Sequence, residues 1–300
     1  MANEAYHTSE YFHQHRKMLL EGDPRALICF CIDISTSMAE WWIEEGGLIR
    51  TSGNGANDGH NVFYFNPDRD VRRGYEKYRK MDKLNEVLKS LLLDFKRDPD
   101  INNKVAVSIV TYSRFGRVQY DFLDCADLDV AGCQCKADKP ETAMGEGLRT
   151  SLMQIDEMQT DMHNAGKDAY TPILIFMSDG SPTDDPRQEF AQVRERVAQG
   201  ELHVFPLGIG EGADMFYMRN LFPAGQCPAS FTSRYKMVHP RDYEEIFREI
   251  KTYVVQRQCV MVSEGNSVQS APALVDEHVN NNQSGETTDF ESLISISFNT

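Results

Sequence analysis

Residues 27–38 read LICFCIDISTSM. The first six, residues 27–32, are apolar without a break, which is typical of a strand buried on both faces of a parallel sheet. The apolar run ends at Asp33, and Asp33, Ser35 and Ser37 alternate, so their side chains can point the same way from an extended backbone. One carboxylate and two hydroxyls suit a hard cation such as Mg2+, which takes oxygen ligands and keeps several waters. The alternative interpretation is a strand end followed by a Ser/Thr-rich helix N-cap.

Two later stretches add oxygen-bearing side chains to this pattern. Residues 171–180, TPILIFMSDG, predict a second buried strand that runs into Asp179. Residues 140–145, PETAMG, predict the opening of a helix with an exposed threonine, Thr142. Thr142 can be explained as a helix N-cap alone, but a helix N-terminus is also well placed to face a site at the strand ends.

The rest of the chain alternates strands with long amphipathic helices, which predicts a doubly wound, mostly parallel α/β sheet with helices on both faces. One antiparallel edge strand is expected at residues 117–123, after the turn at 113–116. The other expected elements are helices at 74–97, 142–163, 187–199 and 241–256, and strands at 104–112, 202–208 and 231–238. Strand-to-helix loops of such a sheet meet at its carboxyl edge, where ligands bind. The residues expected to converge there are Asp33, Ser35, Ser37, Thr142 and Asp179.

These stretches resemble the metal-ion-dependent adhesion site of von Willebrand factor A domains, whose five site positions these residues occupy. The resemblance implies a Rossmann-like fold and a module that binds proteins through a metal-bridged carboxylate. It further implies that Ser35, Ser37 and Thr142 contact the metal directly, and that Asp33 and Asp179 do so partly through water. Mg2+ is the expected ion, and Mn2+ or Ca2+ are alternatives.

Within that family the chain is similar to bacterial cytoplasmic members associated with tellurite resistance, the TerY-like proteins. The similarity rests on residues 32–38, 144–148 and 176–185 and spans roughly residues 25–257. It implies a stress-response setting near a protein kinase and a phosphatase.

Composition narrows the classes of partner. The formal net charge is -15, which argues against nucleic acid or an anionic membrane surface as the main partner.

The sequence contains no apolar run near the length of about 20 residues that spans a bilayer. Residues 1–17 contain no apolar segment of the kind found in signal peptides, so we expect a cytoplasmic protein.

Three regions are expected along the chain. Residues 1–24 are interpreted as an N-terminal arm, residues 25–257 as the von Willebrand A domain, and residues 258–300 as a flexible tail. An insert at 39–73 follows the segment of Asp33, Ser35 and Ser37 and carries both tryptophans and an aromatic run at 62–65. Its aromatic side chains can form a recognition lip beside the site or a small satellite core.

The leading functional hypothesis is a non-enzymatic, Mg2+-dependent protein-binding module whose partner presents Asp or Glu to the metal. The sequence contains no phosphate-binding loop and no nucleophile elbow. A metal-dependent hydrolase or phosphatase is the second hypothesis, since Asp33, Asp179 and a bound water could supply the parts. The third is a structural scaffold in which the cation only stabilises the fold.

Overall fold

The fold is organised around strand β1, Ala26–Asp33, in which every residue is buried. A computed structural model of the chain describes residues 9–21, 23, 25–45, 48–51, 76–99, 101–167, 170–229, 231, 235–238 and 240–263. β1 pairs in parallel with a strand on each side, and its continuous apolar character follows from that central position.

Within the described residues, six strands form the main sheet. They are β1, β5 (Val105–Tyr112), β6 (Gly116–Asp124), β7 (Ile173–Ser178), β8 (His203–Ile209) and β9 (Lys236–Met237). Their order is β6-β5-β1-β7-β8-β9, and only the β5–β6 pair is antiparallel. Counted along the main sheet this is the order 3-2-1-4-5-6 of a doubly wound fold, with a crevice where the order reverses beside β1. The predicted fold class is confirmed.

Helices cover both faces of this sheet. They are α1 (Ser9–Glu21), α2 (Lys80–Arg97), α3 (Met144–Asn164), α4 (Arg187–Ala198), α5 (Met215–Arg219) and α6 (Pro240–Ser263). On one face the ring of Phe30 in β1 packs edge-on against Phe247 of α6, with centroids 6.3 Å apart. On the other face α3 lies against β1 so closely that a Cβ on Gly147 would stand 3.1 Å from Cys31 Sγ. Neighbouring residues of β1 therefore pack on opposite helical layers.

A second, smaller sheet follows the loop that carries Ser35 and Ser37. It consists of β2 (Trp41–Glu45), β3 (Leu48–Thr51) and β4 (Glu76–Arg79), antiparallel and in the order β3-β2-β4. The prediction of a helix from residue 74 is wrong at its start, because residues 76–79 pair with β2 and the helix begins only at Lys80. The aromatic run at 62–65 lies outside the described residues.

The last strand and the closing helix depart from their predicted bounds. Within the expected strand at 231–238, the structure has a strand at Lys236–Met237 and none at Phe231 or Tyr235, while residues 232–234 lie outside the described residues. Tyr235 N donates to Phe231 O at 2.9 Å, and the Phe231 and Phe222 ring centroids are 5.3 Å apart. The closing helix extends to Ser263, so the first residues of the predicted tail are helical. The N-terminal arm contains α1, whose Leu19 is buried. Within the described part of the chain, no helix combines the length and apolar character needed to cross a bilayer.

Candidate metal centre

Asp33 lies at the carboxyl end of β1, in the middle of the sheet, and is fully buried. Its Oδ1 accepts a 2.8 Å hydrogen bond from the Ser35 amide, and its Oδ2 accepts a 2.7 Å hydrogen bond from the hydroxyl of Ser178. Ser178 is the last residue of β7, the neighbouring parallel strand. The carboxylate is therefore fixed by its own loop and by the next strand end.

Of the two serines of the first motif, Ser35 is the N-cap of the short 3-10 helix Thr36–Ala39 and Ser37 lies within that helix. The hydroxyls of Ser35 and Ser37 are 2.8 Å apart, and Ser37 donates to Asp179 Oδ1 at 2.7 Å. Asp179 follows directly after β7 and is 2% exposed. The two stretches that the sequence singles out are thus joined by two hydrogen bonds, one from Ser178 to Asp33 and one from Ser37 to Asp179.

Thr142 lies beside this group without being the cap of a helix. Helix α3 begins at Met144 and Ala143 is its N-cap, so the interpretation of Thr142 as a helix N-cap is wrong. The amide of Thr142 donates to Thr183 Oγ1 and the amide of Thr183 donates back to Thr142 O, both at 3.0 Å. A Cβ on Gly180 would lie 3.9 Å from Thr142 Oγ1. These contacts hold Thr142 against the loop that carries Asp179.

Lys80, which is not among the predicted site residues, also contacts this group of side chains. Its ammonium donates to Asp179 Oδ2 at 2.8 Å and to Glu40 Oε2 at 3.1 Å, and its side chain is 2% exposed. One feature of the sequence indicates that Lys80 is buried, because Lys80 lies one helical turn before Leu84 on the buried face of α2. A lysine at an apolar position of a helix needs a buried acidic partner.

Asp184 links the loop after β7 to the start of helix α3. Its Oδ2 accepts a 3.2 Å hydrogen bond from the amide of Glu146, in the first turn of α3. It therefore caps α3, whereas Asp185 pairs with Arg187 at the start of α4.

The electrostatics of the group favour a cation. Burial raises the pKa of the Asp33 carboxyl to about 7, the nearby charge of Asp179 adds to the rise, and hydrogen bonds from Ser178 and Ser35 oppose it. Two neighbouring buried carboxylates, such as those of Asp33 and Asp179, repel each other unless positive charge lies between or beside them. In the described structure the Lys80 ammonium supplies such a charge at Asp179.

The donor set fits a hard divalent ion. Carboxylate and hydroxyl oxygens face one edge of the sheet, and the lysine ammonium shows that a cation is accommodated beside Asp179. Oxygen ligands with few charges suit Mg2+ and related ions, whereas zinc sites built on thiolate and imidazole need ligands of another kind. Among the described residues, no group of three or more His, Cys, Asp or Glu side chains is arranged to hold a metal.

Comparison with known proteins gives similarity at the level of solved structures. No family model and no curated protein sequence matches the chain. Proximal thread matrix protein 1 from the mussel byssus is 16% identical over 79% of this chain and 47% of its own, with a TM-score of 0.47. A second structure of that protein, described as having a zinc-occupied MIDAS motif, is 12% identical over 79% of this chain and 48% of its own, with a TM-score of 0.43.

A von Willebrand factor type A structure from Catenulispora acidiphila is 17% identical over 78% of this chain and 43% of its own, with a TM-score of 0.46. The chain thus spans about half the length, or less, of these three solved structures. The overlap is partial, and the fold assigned to this chain rests on its own sheet order.

Proposed function

We propose that this chain is a non-enzymatic protein-binding module that depends on a divalent cation, with Mg2+ as the resident ion and Mn2+ or Ca2+ as substitutes. The residues that would hold the ion are Asp33, Ser35, Ser37, Thr142 and Asp179. The observation that carries the proposal is the hydrogen-bonded chain from Ser178 through Asp33 and the two serines to Asp179. It concentrates two buried carboxylates at the carboxyl edge of the sheet.

The partner in this proposal presents an Asp or Glu side chain. When bound, the ion supplies positive charge and coordination positions that a carboxylate can take in place of water. Ser35 and Ser37 add no charge of their own, so the two aspartates balance the charge of a divalent ion, and five oxygen ligands leave a position of a six-coordinate shell to water. An acidic side chain from outside is a suitable addition to such a shell.

Asp33 is committed to hydrogen bonds, which supports a module without turnover. Its Oδ1 accepts from the Ser35 amide and its Oδ2 from the Ser178 hydroxyl, so both oxygens of this carboxylate already have donors. A general base needs an oxygen directed at the water it activates. Hydrolysis of p-nitrophenyl phosphate with Mn2+ is expected to stay at the background rate, and turnover that Asp33→Asn abolishes would contradict this.

Ion binding is tested by calorimetric titration of Mg2+ and Mn2+ into chelator-treated protein. Saturable binding to one site is expected, with affinity at least about 10-fold lower in Asp33→Asn. The matched control is Asp156→Asn, because Asp156 forms a surface ion pair with Arg196 and does not face the site. Equal binding in all three proteins, or no binding by folded wild type, would contradict the proposal.

Carboxylate capture needs its own measurement. With Mn2+ bound, the relaxation rate of water protons reports water in the ion's shell. N-acetylglutamate α-amide is expected to lower the rate by replacing that water, and the matched glutamine compound is expected to leave it unchanged. An equal response to both compounds would exclude selection of a carboxylate.

The setting of this module is also a proposal. The resemblance of residues 32–38, 144–148 and 176–185 to TerY-like proteins supports a cytoplasmic stress-response role with a kinase or phosphatase as partner. Tellurite tolerance of the native host carrying Asp33→Asn, compared with Asp156→Asn, tests it. Equal tolerance of the two strains would contradict that role.

A further inference from the structure

Lys80 is a buried cation at the metal centre. Its ammonium lies 2.8 Å from Asp179 Oδ2 and 3.1 Å from Glu40 Oε2. The Asp179 side chain is 0% exposed, whereas that of Glu40 is 27% exposed. The ammonium thus stands between one partner in the interior and one that reaches solvent.

The backbone fixes Lys80 in this position. It is the first residue of α2 and directly follows β4, and its amide donates to Glu40 O at 3.1 Å. Glu40 directly precedes β2. The two ends of the three-stranded sheet β2–β4 are therefore joined at the metal centre by a backbone hydrogen bond and by an ion pair.

The ammonium and a divalent ion compete for the same carboxylate. A divalent ion on Asp179 would bring like charges close together in a buried site, where Coulomb repulsion is strong. Moving the Lys80 ammonium away from Asp179 costs less free energy than separating it from both partners, because Glu40 remains within reach of the same ammonium. The geometry therefore offers the lysine a second position without exposing an unpaired charge in the interior.

We infer that Lys80 is a tethered cation that holds Asp179 in the ion-free protein and must yield it to the divalent ion by shifting to Glu40. The inference rests on the proposed function, since it concerns the same ion. Because the ion must displace Lys80, ion binding is weaker than the oxygen ligands alone would give. The Lys80 ammonium also couples ion binding to the base of the β2–β4 sheet, which is formed by Lys80 and Glu40.

The first test compares Mn2+ affinity in wild type, Lys80→Met and Lys83→Met by calorimetry. Methionine keeps the length of the side chain and removes the charge. Lys83 is the matched control: it lies on the same helix, its side chain is 10% exposed, and it pairs with Glu86 and Glu244. Lys80→Met is expected to bind Mn2+ at least about 5-fold more tightly than wild type, and Lys83→Met to bind like wild type.

The second test uses the wild-type protein and does not depend on a variant that folds. Brief acetylation with acetic anhydride, read by mass spectrometry, measures the accessibility of each lysine amine. Saturating Mn2+ is expected to increase labelling of Lys80 by several-fold and to leave Lys83 unchanged. Unchanged labelling of Lys80 while calorimetry shows Mn2+ bound would overturn the inference.

The outcomes separate this inference from the proposed function. Wild-type binding with an equal or lower affinity in Lys80→Met would overturn the tethered cation and leave the metal centre intact. Binding by Lys80→Met alone would support the tethered cation strongly. Absence of binding in both folded proteins would overturn the metal centre and the inference together.

Discussion

The hydroxyl of Ser178 donates a 2.7 Å hydrogen bond to Oδ2 of Asp33 and joins the ends of two neighbouring parallel strands. Both residues are fully buried. Removing the hydroxyl leaves one oxygen of a buried carboxyl group without that donor, which costs about 1–3 kcal/mol. We expect Ser178→Ala to lower the free energy of unfolding by this amount, measured by urea denaturation at neutral pH in chelator.

Ser151→Ala is the control for the loss of a buried serine hydroxyl. Ser151 is also fully buried, and its hydroxyl donates to Gly147 O at 2.9 Å within α3. Such a bond to the preceding turn adds little to helix stability. If Ser178→Ala lowers the free energy of unfolding no more than Ser151→Ala does, the hydrogen bond to Asp33 adds no more stability than the bond within α3.

The Asp33 carboxyl links stability to pH. Its pKa in the folded protein is about 7, above the ordinary value of 3.8. Because the folded state holds this proton more tightly than the unfolded state, the associated stability is fully present below about pH 4 and is lost as the pH rises through about 7. The free energy of unfolding of chelator-treated protein is therefore expected to fall across this window, measured by urea denaturation at constant ionic strength.

Asp33→Asn isolates the contribution of this one group. Its stability is expected to change less with pH than that of wild type, and the difference between the two curves should follow a pKa near 7. In wild type, Mn2+ affinity should rise over the same window, since the ion competes with the proton. Parallel pH curves for the two proteins would assign the titration to other carboxyl groups.

Local sequence patterns predicted the convergence of Asp33, Ser37 and Asp179 because the ends of parallel strands meet at one edge whatever the loops do. They missed the pair between Glu40 and Lys80, which forms only after β2 and β4 have brought residues 40 positions apart together. The predicted helix extended backward over residues 76–79 because a strand of four residues carries little periodic signal of its own. Lys80 was missed because its acidic partners, Glu40 and Asp179, come from distant parts of the chain.

Gly147 sets the distance between α3 and the sheet. A Cβ at this position would lie 2.6 Å from ring atoms of Tyr112 and 3.1 Å from Cys31 Sγ. Replacing a glycine inside a helix by alanine ordinarily stabilises it by about 0.5–1 kcal/mol. Overpacking against a buried ring costs about 1–3 kcal/mol. We expect Gly147→Ala to be destabilised by about 1–2 kcal/mol net, measured by thermal and urea unfolding.

Thr160→Ala, on the exposed side of the same helix, serves as the reference for helix propensity. It is expected to be neutral or slightly stabilising, because alanine is the better helix former. If Gly147→Ala matched Thr160→Ala, then α3 could move away from Tyr112 at no cost, and the close packing on β5 would not limit the fold.

Arg25 and Asp124 form a buried ion pair at the edge of the sheet opposite the metal centre. Arg25 Nε donates to Asp124 Oδ1 at 2.7 Å, and the side chains are 9% and 12% exposed. Asp124→Asn leaves the guanidinium buried with a neutral partner, and loss of one member of such a pair costs about 3 kcal/mol. The exposed pair of Asp156 and Arg196 is the comparison, for which Asp156→Asn should cost no more than about 1 kcal/mol.

Ion binding gives the Asp124 variant a second and independent outcome. Arg25 precedes β1 and Asp33 ends it, which separates them by about 25 Å at the rise of an extended strand. Stability should therefore fall while Mn2+ affinity, measured on the folded variant, stays at the wild-type value, because distant sites without shared partners act independently. A weaker Mn2+ affinity would show that β1 transmits strain from its first residue to Asp33, and the metal centre would then depend on the packing of the whole strand.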